Sequence, residues 1–434
     1  MTLPGPLSRH LLDRAAGTRC GLVLPAHGVE PQACDTLGPL LDGLTLANAA
    51  VPGDPVNAWQ TVSGAVGVDE DAARQGAIAE ALERLAAARV DLPLRTRASL
   101  DPALRLDEEA FALFSPAQRH ADGFPWPMVR RDTDLFAPVH HLGDNRERWV
   151  PQELVGLGPR AGDARMPSTS SGLAAWRDAA DGPWLAVLRA AQEVLERDAL
   201  AVTWLNGLGG RRLDAPARWQ DFVAERGGEL AVFDLTQAWN PHPVIAVAGG
   251  MPCQGRPRHV LGIACRATAG AALHKALMEW AQSLAFAAHL AARQSGSLPR
   301  EPERLRRFDE HAVFYTLRPE LWRQTALLAH AESAGRAAPA PVADEGIASP
   351  AEAVHGVVEA LGAHGVDLYY RELTTVDVAA CGLRVVRVLS PQLSGLHADE
   401  RAPFLGGRCG DVAWRYPGST RHTVFPNPLP HPLG

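Results

Sequence analysis

Lysine is almost absent from the sequence: Lys275 is the single lysine among 434 residues. A P-loop needs a Gly-Lys-Ser or Gly-Lys-Thr run, in which the lysine and the loop backbone hold the phosphates of a nucleotide. No such run occurs in the chain. If the protein binds a nucleotide, it therefore uses a different kind of site.

Cysteine pairs and long apolar runs are also missing. None of the six cysteines belongs to a Cys-x-x-Cys pair, so we expect reduced, buried thiols and neither a zinc knuckle nor a redox dithiol. No stretch approaches the roughly 18–20 apolar residues of a membrane span. The N-terminus lacks the basic start and apolar core of a signal peptide. We therefore expect a cytoplasmic protein without membrane contact.

The composition is that of an ordinary globular protein, with 46% hydrophobic and 21% charged residues. A chain of this length buries a large core as one large domain or as two to three smaller ones. Its formal net charge of −7 and pI near 6.1 argue against a surface built for nucleic acid. We expect no nucleic-acid partner.

Periodicity along the chain predicts segregated helices and strands. Helices are predicted from apolar spacing and capping residues over 69–89, 183–205, 269–293 and 351–363. Strands are predicted from short Val-, Ile- and Leu-rich runs over 228–236, 243–250, 259–267, 366–373 and 383–390. The Ala/Pro-rich residues 333–350 are predicted to form a flexible connection or an exposed loop. This mixture predicts an α+β architecture.

Three of the predicted helices share an acidic pattern, in the segments "AIAEALER", "AAQEVLER" and "ALMEWAQ". In each, alanine is followed three residues later by glutamate and after three more by glutamate or glutamine, which places both polar side chains on one helical face. The residues are Ala77, Glu80 and Glu83; Ala190, Glu193 and Glu196; and Ala276, Glu279 and Gln282.

Convergence of these helices would gather five carboxylates, which is unfavourable without a counter-charge. Carboxylate oxygens suit Mg²⁺, which usually bridges a few acids to phosphate oxygens. The first hypothesis is therefore a magnesium-nucleotide site, with Arg84 and Arg197 available to phosphates or acids. The alternative is that the glutamates face water and pair with neighbouring arginines, at a gain well under about 1 kcal/mol.

These segments resemble a known family. "VGVDEDAARQGAIAEALER", "TSSGLAA", "AAQEVLERDALAVTWL" and "ALMEWAQS" resemble, in this order, signature segments of the YcaO superfamily. "DEHAVFYTLRPE", "ELTTVDVAACGLRVVRVLSPQLSGLH" and "NPLPHPLG" narrow the resemblance to its azoline-forming cyclodehydratases (D-protein type), which modify thiazole/oxazole-containing peptides. The resemblance extends from about residue 60 to the C-terminus.

The resemblance implies a YcaO-type fold with mixed sheets, in which three acidic helices converge on an ATP site without a P-loop. A Cys, Ser or Thr side chain of a ribosomal precursor peptide attacks the preceding backbone carbonyl, and ATP phosphorylates the resulting oxygen before phosphate leaves. The implied Mg²⁺ ligands are Glu80, Glu83, Glu193, Glu196 and Glu279. The implied nucleotide contacts are Ser63, Gly67, Arg84, Ser170, Ser171, Arg197 and Gln282.

The C-terminal tail has the form Pro-x-Pro-x-Pro, with Pro428, Pro430 and Pro432. A stiff extended segment delivers the terminal carboxylate to a site with little loss of entropy. From the resemblance, we expect the Gly434 carboxylate or His431 to position or deprotonate the substrate. The alternative is a rigid, docked or disordered terminus without a catalytic role.

The sequence departs from the family at several points. Val66 stands where a lysine is usual, in a segment (63–67) that we expect to form a flexible turn. The linker "WRDAADGP" is longer than usual, so that Asp181 is only a weak substitute for the family's asparagine, and Leu284 replaces a frequent arginine. A thioamide-forming YcaO enzyme and a non-catalytic scaffold subunit therefore remain alternatives.

The expected organisation is an N-terminal segment, residues 1–60, followed by a cyclodehydratase domain, residues 61–434. The first segment is short and interrupted by Pro and Gly, which suits a contact with a partner rather than a complete recognition domain. The expected partners are the precursor peptide, a separate leader-peptide-binding (E1-like) protein and a flavin-dependent azoline dehydrogenase.

Overall fold

The structure is a computed structural model. The residues that it describes are 12, 14–18, 21–29, 45–51, 62–67, 69–126, 129–157, 166–167, 171–253, 255–294 and 298–434.

The described chain contains six longer helices, and four of them match the predicted helices to within one residue at each end. The six are α1 (Glu70–Arg89), α2 (Gly182–Leu205), α3 (Ala217–Glu225), α4 (Ala269–Gln294), α5 (Phe308–Leu317) and α6 (Pro350–Gly362). Asp69 caps α1 by accepting a hydrogen bond from the Ala72 N–H at 2.7 Å, and Pro183 occupies the first turn of α2. Short helical segments are Pro116–Arg119, Pro319–Trp322, Ala326–Ala329, Val376–Ala380 and Val412–Arg415. No helix among the described residues combines the length and the apolar character that crossing a membrane requires.

Within the described residues the strands form three sheets, so the predicted α+β class is confirmed. The first contains β1 (His27–Val29), β2 (Thr45–Ala50) and β3 (Val62–Gly67) in that order. The strands of the other two sheets are β4 (Arg95–Thr96), β5 (Leu135–His141), β6 (Glu147–Pro151), β7 (Leu173–Arg177), β8 (Arg211–Asp214), β9 (Glu229–Asp234), β10 (Val244–Cys253), β11 (Arg256–Cys265), β12 (Glu332–Ala337), β13 (Tyr369–Glu372) and β14 (Leu383–Leu389). The five-stranded sheet has the order β11-β10-β9-β8-β12, and the six-stranded sheet has the order β4-β5-β13-β14-β7 with β6 paired to β5.

Helix α2 lies at the centre of the molecule, between the two larger sheets. It packs against β7 and β14 of the six-stranded sheet and against β10 and β11 of the five-stranded sheet. Helix α1 covers β2 and β3 and also reaches β7, while α4 covers β10 and β11 and reaches β3. The three helices that carry the acidic pattern therefore belong to one continuous packing arrangement.

One local prediction is wrong, and another is wrong only at the start of its segment. The segment 63–67, expected to be a flexible turn, belongs to β3, whose residues pair with β2 from Thr45 opposite Gly67 to Ala50 opposite Val62. The connection 333–350 begins with β12, which pairs in parallel with β8. Later in that connection, the Glu345 carboxylate lies buried between Arg189 and Arg266. Backbone pairing and a buried ion pair fix segments whose composition alone is typical of loops.

The division at residue 60 remains a prediction, and it falls between two paired strands. Strand β2 precedes the division, strand β3 follows it, and the two pair along their whole length. Most of the N-terminal segment lies outside the described residues.

Candidate functional site

The acids of α1 differ in their surroundings. Glu80 is partly exposed and forms an ion pair with Arg84 one turn later. Burial, with help from the charges of Glu193 and Glu80, raises the pKa of Glu83 to about 8, although Arg84 and a hydrogen bond from the Ala175 backbone oppose the shift. Glu83 therefore lies close to the acids of α2. Its ionised form is disfavoured there, and a bound cation would stabilise it.

The acids of α2 are held by backbone N–H groups from two different sheets. Glu193 accepts a hydrogen bond from the Gly172 N–H at 3.2 Å, beside β7. Glu196, only 5% exposed, accepts one from the Cys265 N–H at 3.2 Å, at the end of β11. Burial raises the pKa of Glu193, and it raises that of Glu196 to about 8 with contributions from Glu279 and Glu193.

Helix α4 contributes Glu279 and Gln282. Lys275 pairs with Glu279 at 3.2 Å, so the single lysine of the chain lies at this site. Gln282 donates its side-chain N–H to the Gly64 carbonyl of β3 at 2.9 Å, which ties α4 to the three-stranded sheet.

Arg197 is the common neighbour of these acids. Its guanidinium lies 3.2 Å from Glu193 and 3.8 Å from Glu196. Although burial disfavours the charged form, Glu196, Glu193 and Glu279 together raise the pKa of Arg197. Electrostatic interactions between neighbours thus link the five predicted acids in the order Glu80, Glu83, Glu193, Glu196 and Glu279.

Sequence reasoning missed Arg387, which lies on β14 and is only 1% exposed. It donates from Nε to the Val155 carbonyl at 3.1 Å and from Nη1 to the Ser171 carbonyl at 2.6 Å, while Nη2 has no hydrogen-bond partner among the described residues. Burial lowers its pKa to about 10 against the attraction of Glu193 and Glu83. The signal in the sequence was a single charge inside the apolar strand "VVRVL".

The remaining predicted nucleotide residues have varied positions. Ser63 is buried, and its hydroxyl has no hydrogen-bond partner among the described residues. Gly67 packs so closely on α1 that an added Cβ would lie 2.4 Å from the Ala73 nitrogen. Ser171 offers its carbonyl to Arg387, and Ser170 lies outside the described residues.

The C-terminal tail is docked, which removes a disordered terminus from the alternatives. Pro430, His431 and Pro432 are buried, while Pro428 and Gly434 are exposed. The His431 Nε2–H donates to the His397 carbonyl at 2.7 Å. Burial and the nearby His311 and His397 lower the pKa of His431 well below its ordinary value, and Arg197 adds to this effect. His431 is therefore within electrostatic reach of Arg197.

The donor set fits a magnesium ion shared with a nucleotide. In the described part of the chain, no three His, Cys, Asp or Glu side chains are grouped to hold a metal by themselves. The raised pKa values of Glu83 and Glu196 show buried acids without enough counter-charge, and Mg²⁺ is usually bound by one or two such carboxylates while phosphate oxygens and water complete its octahedron. Glu83, Glu193, Glu196 and Glu279 are the residues that would hold it.

Comparison with known proteins agrees with this description. The family described as YcaO cyclodehydratase, ATP- and Mg²⁺-binding, matches residues 64–394. The chain therefore belongs to the YcaO cyclodehydratase family, and the predicted cofactors, ATP and Mg²⁺, are confirmed at the level of the family. No match was found among curated proteins.

Solved structures share the fold at low sequence identity. A heterocyclase in complex with substrate and cofactor has a TM-score of 0.71 at 20% identity, covering 98% of this chain; this chain spans 57% of the heterocyclase. YcaO from Methanopyrus kandleri, bound with AMPPCP and Mg²⁺, has a TM-score of 0.60 at 18% identity, covering 91% of each chain. A chain of the E. coli microcin synthetase McbBCD complex has a TM-score of 0.58 at 14% identity, covering 90% of this chain and 94% of the matched chain.

Proposed function

We propose that the protein is an ATP-dependent cyclodehydratase that forms thiazoline or oxazoline rings in a ribosomal precursor peptide. The observation that carries the proposal is the row of carboxylates from three helices, of which Glu196 is buried and Glu279 is partly exposed, with Arg197 and Arg387 beside it. A surface of solvated glutamates would not raise the pKa values of Glu83 and Glu196 to about 8.

In the proposed reaction, a Cys, Ser or Thr side chain adds to the preceding carbonyl carbon and loses its proton. The carbonyl oxygen takes the γ-phosphoryl group of ATP and releases ADP. Loss of the amide proton and departure of phosphate then form the C=N bond, so that the peptide loses one water overall. Phosphorylation is needed because the amide oxygen is otherwise a very poor leaving group.

In this proposal, groups of the protein hold Mg²⁺ and the phosphates of ATP and accept a proton from the substrate. Mg²⁺ on the helix acids would neutralise phosphate charge and relieve the repulsion among those acids. Arg197 and the unpaired Nη2 of Arg387 would donate to phosphate oxygens, and Lys275 would supply a further positive charge beside Glu279. The Gly434 carboxylate or His431 would accept the proton that leaves the attacking side chain.

The direct test is a reaction of the protein with Mg-ATP, a Cys- or Ser-rich precursor and a leader-peptide-binding protein. Each ring should lower the peptide mass by about 18 Da and release one phosphate. A gain of about 16 Da would instead identify the thioamide-forming alternative, in which sulfur replaces oxygen. Absence of ATP turnover in the complete mixture would contradict both.

The partners belong to the proposal as well. A separate leader-binding protein should be required for full rate, and a flavin-dependent dehydrogenase should oxidise the rings to azoles. The McbBCD complex, one of the structures with this fold, offers a parallel for work within a complex. Full-rate ring formation by the purified chain alone would contradict the requirement for a separate binding protein.

One substitution distinguishes the proposed enzyme from a non-catalytic scaffold subunit. Glu193→Ala should abolish ATP turnover if the acids hold Mg-ATP, because Glu193 lies between Glu83 and Arg197. A scaffold subunit would leave the activity of its complex unchanged after the same substitution.

A further inference from the structure

The tail presents mainly carbonyl groups to the rest of the fold, because prolines have no N–H. Two side chains meet consecutive carbonyls: the Trp204 Nε1–H donates to Leu429 at 2.8 Å, and the Tyr315 hydroxyl donates to Pro430 at 2.7 Å. Buried carbonyls without such donors would carry a desolvation cost. The backbone of the tail is thus recognised by side chains of α2 and α5.

His311 meets the next carbonyl of the tail. Its ring is fully buried, with Nδ1 3.1 Å from the His431 carbonyl and Nε2 3.0 Å from the Ala398 carbonyl. The rings of His311 and His431 stack with their centroids 4.2 Å apart. One side chain of α5 therefore joins the tail to the loop that contains Ala398.

The side chains that donate hydrogen bonds to the tail lie on α2, which carries part of the acidic site, and on α5, which packs against it through α4. Trp204 follows Glu196 on α2 by eight residues, or just over two turns. Helix α5 packs against α4, which carries Glu279. A Cβ added at Gly434 would lie 2.5 Å from the Ala312 Cβ, so the end of the tail rests against α5. The position of Gly434 is consequently set by α5.

We propose that Tyr315 and His311 are positioning residues that hold the tail, residues 428–434, in register with the acidic helices, acting through the Pro430 and His431 carbonyls. The part that this register plays in catalysis rests on the proposed function. The docking itself does not, because it is a property of the protein without substrate.

Burial favours the neutral ring of His311, which donates from only one nitrogen, so two substitutions at position 311 test the two contacts separately. Asparagine places its amide N–H where Nδ1 lies and keeps a donor for the His431 carbonyl. Glutamine places its amide N–H where Nε2 lies and keeps only the donor for Ala398. Tyr315→Phe removes one hydroxyl and nothing else. Tyr370→Phe is its matched control, because the Tyr370 hydroxyl contacts Asn145 at 3.5 Å rather than the tail.

Hydrogen exchange of the C-terminal peptide measures docking in the full-length protein. We expect Tyr315→Phe and His311→Gln to speed the exchange of the Leu429, His431, Leu433 and Gly434 amides by about three- to tenfold, the effect of one lost hydrogen bond. His311→Asn and Tyr370→Phe should match the wild type. Equal exchange in all variants, or faster exchange in Asn than in Gln at position 311, would overturn the proposal.

Activity measurements distinguish a failure of the proposed function from a failure of the positioning role of Tyr315 and His311. Tyr315→Phe and His311→Gln should lower kcat while leaving the KM for ATP within about twofold, because they displace the tail and not the acids. A wild-type protein that makes no azoline while tail exchange responds as described would refute the proposed function alone. Ring formation with unresponsive tail exchange would refute only the positioning role.

Discussion

Replacement of Glu83 by glutamine should stabilise the metal-free protein at alkaline pH. An ordinary glutamate ionises near 4.5, whereas burial and the charges of Glu193 and Glu80 raise the pKa of Glu83 to about 8. The folded protein therefore binds this proton more tightly than the unfolded chain does. The resulting stability is fully present below pH 4.5 and is lost as the pH rises through about 8.

The structure sets the size of this effect. At about 1.4 kcal/mol per pKa unit, the complete loss approaches about 5 kcal/mol, and relaxation of neighbouring arginines reduces it toward about 2 kcal/mol. Glutamine keeps the shape of the side chain and an oxygen for the Ala175 N–H but has no charge to lose. The variant should thus exceed the wild type in unfolding free energy by about 2–5 kcal/mol at pH 9 and by under about 1 kcal/mol at pH 5.

Urea denaturation at the two pH values, without divalent metal, measures these free energies. Glu80→Gln is the matched control on the same helix, because Glu80 is partly exposed and its ion pair with Arg84 contributes under about 1 kcal/mol. An equal change at both pH values, or a Glu83→Gln variant less stable than the wild type at pH 9, would refute the reasoning.

Three further substitutions test other parts of the structure. Arg387→Met should lower kcat/KM for ATP by about a hundredfold in steady-state assays, because it removes a buried donor beside Glu193 and Glu83, whereas unchanged kinetics would exclude Arg387 from the site. Gly67→Ala should lower the unfolding free energy by about 1–3 kcal/mol in urea, since its Cβ would clash with Ala73, and wild-type stability would contradict that close packing. Asp198→Asn should cost about 3–5 kcal/mol in the same assay, because Asp198 and Arg415 form a fully buried ion pair; a cost under about 1 kcal/mol would show that the pair is dispensable.

The sequence was most informative where periodicity decides structure. The ends of α1, α2, α4 and α6 were predicted to within one residue because their apolar positions recur at helical spacing, and the first turns of α1, α2 and α6 also carry acids or proline. The acidic pattern also identified side chains that the fold brings together. Its spacing could not show that these acids are buried, because burial depends on the sheets that cover them.

The remaining features depend on long-range packing. Arg387 is buried between Val155 and Ser171, more than two hundred residues earlier in the chain, and local patterns do not encode such contacts. Strand β12 pairs with β8, with Glu332 opposite Arg211 about 120 residues earlier in the chain, so an Ala-, Gly- and Pro-rich segment resembled a loop. The donors that dock the tail, Tyr315 and His311, lie within a quoted family segment, but only the fold reveals that they face the tail.

Calorimetric titration of the protein with ATP, in the presence and absence of Mg²⁺, tests the central claim most directly. The wild type and the exposed-surface control Glu359→Ala should bind ATP with a heat that depends on Mg²⁺, and Glu193→Ala should lose this heat. No binding by the wild type, or binding by Glu193→Ala with the same affinity and the same dependence on Mg²⁺, would contradict the assignment of the three acidic helices to Mg-ATP.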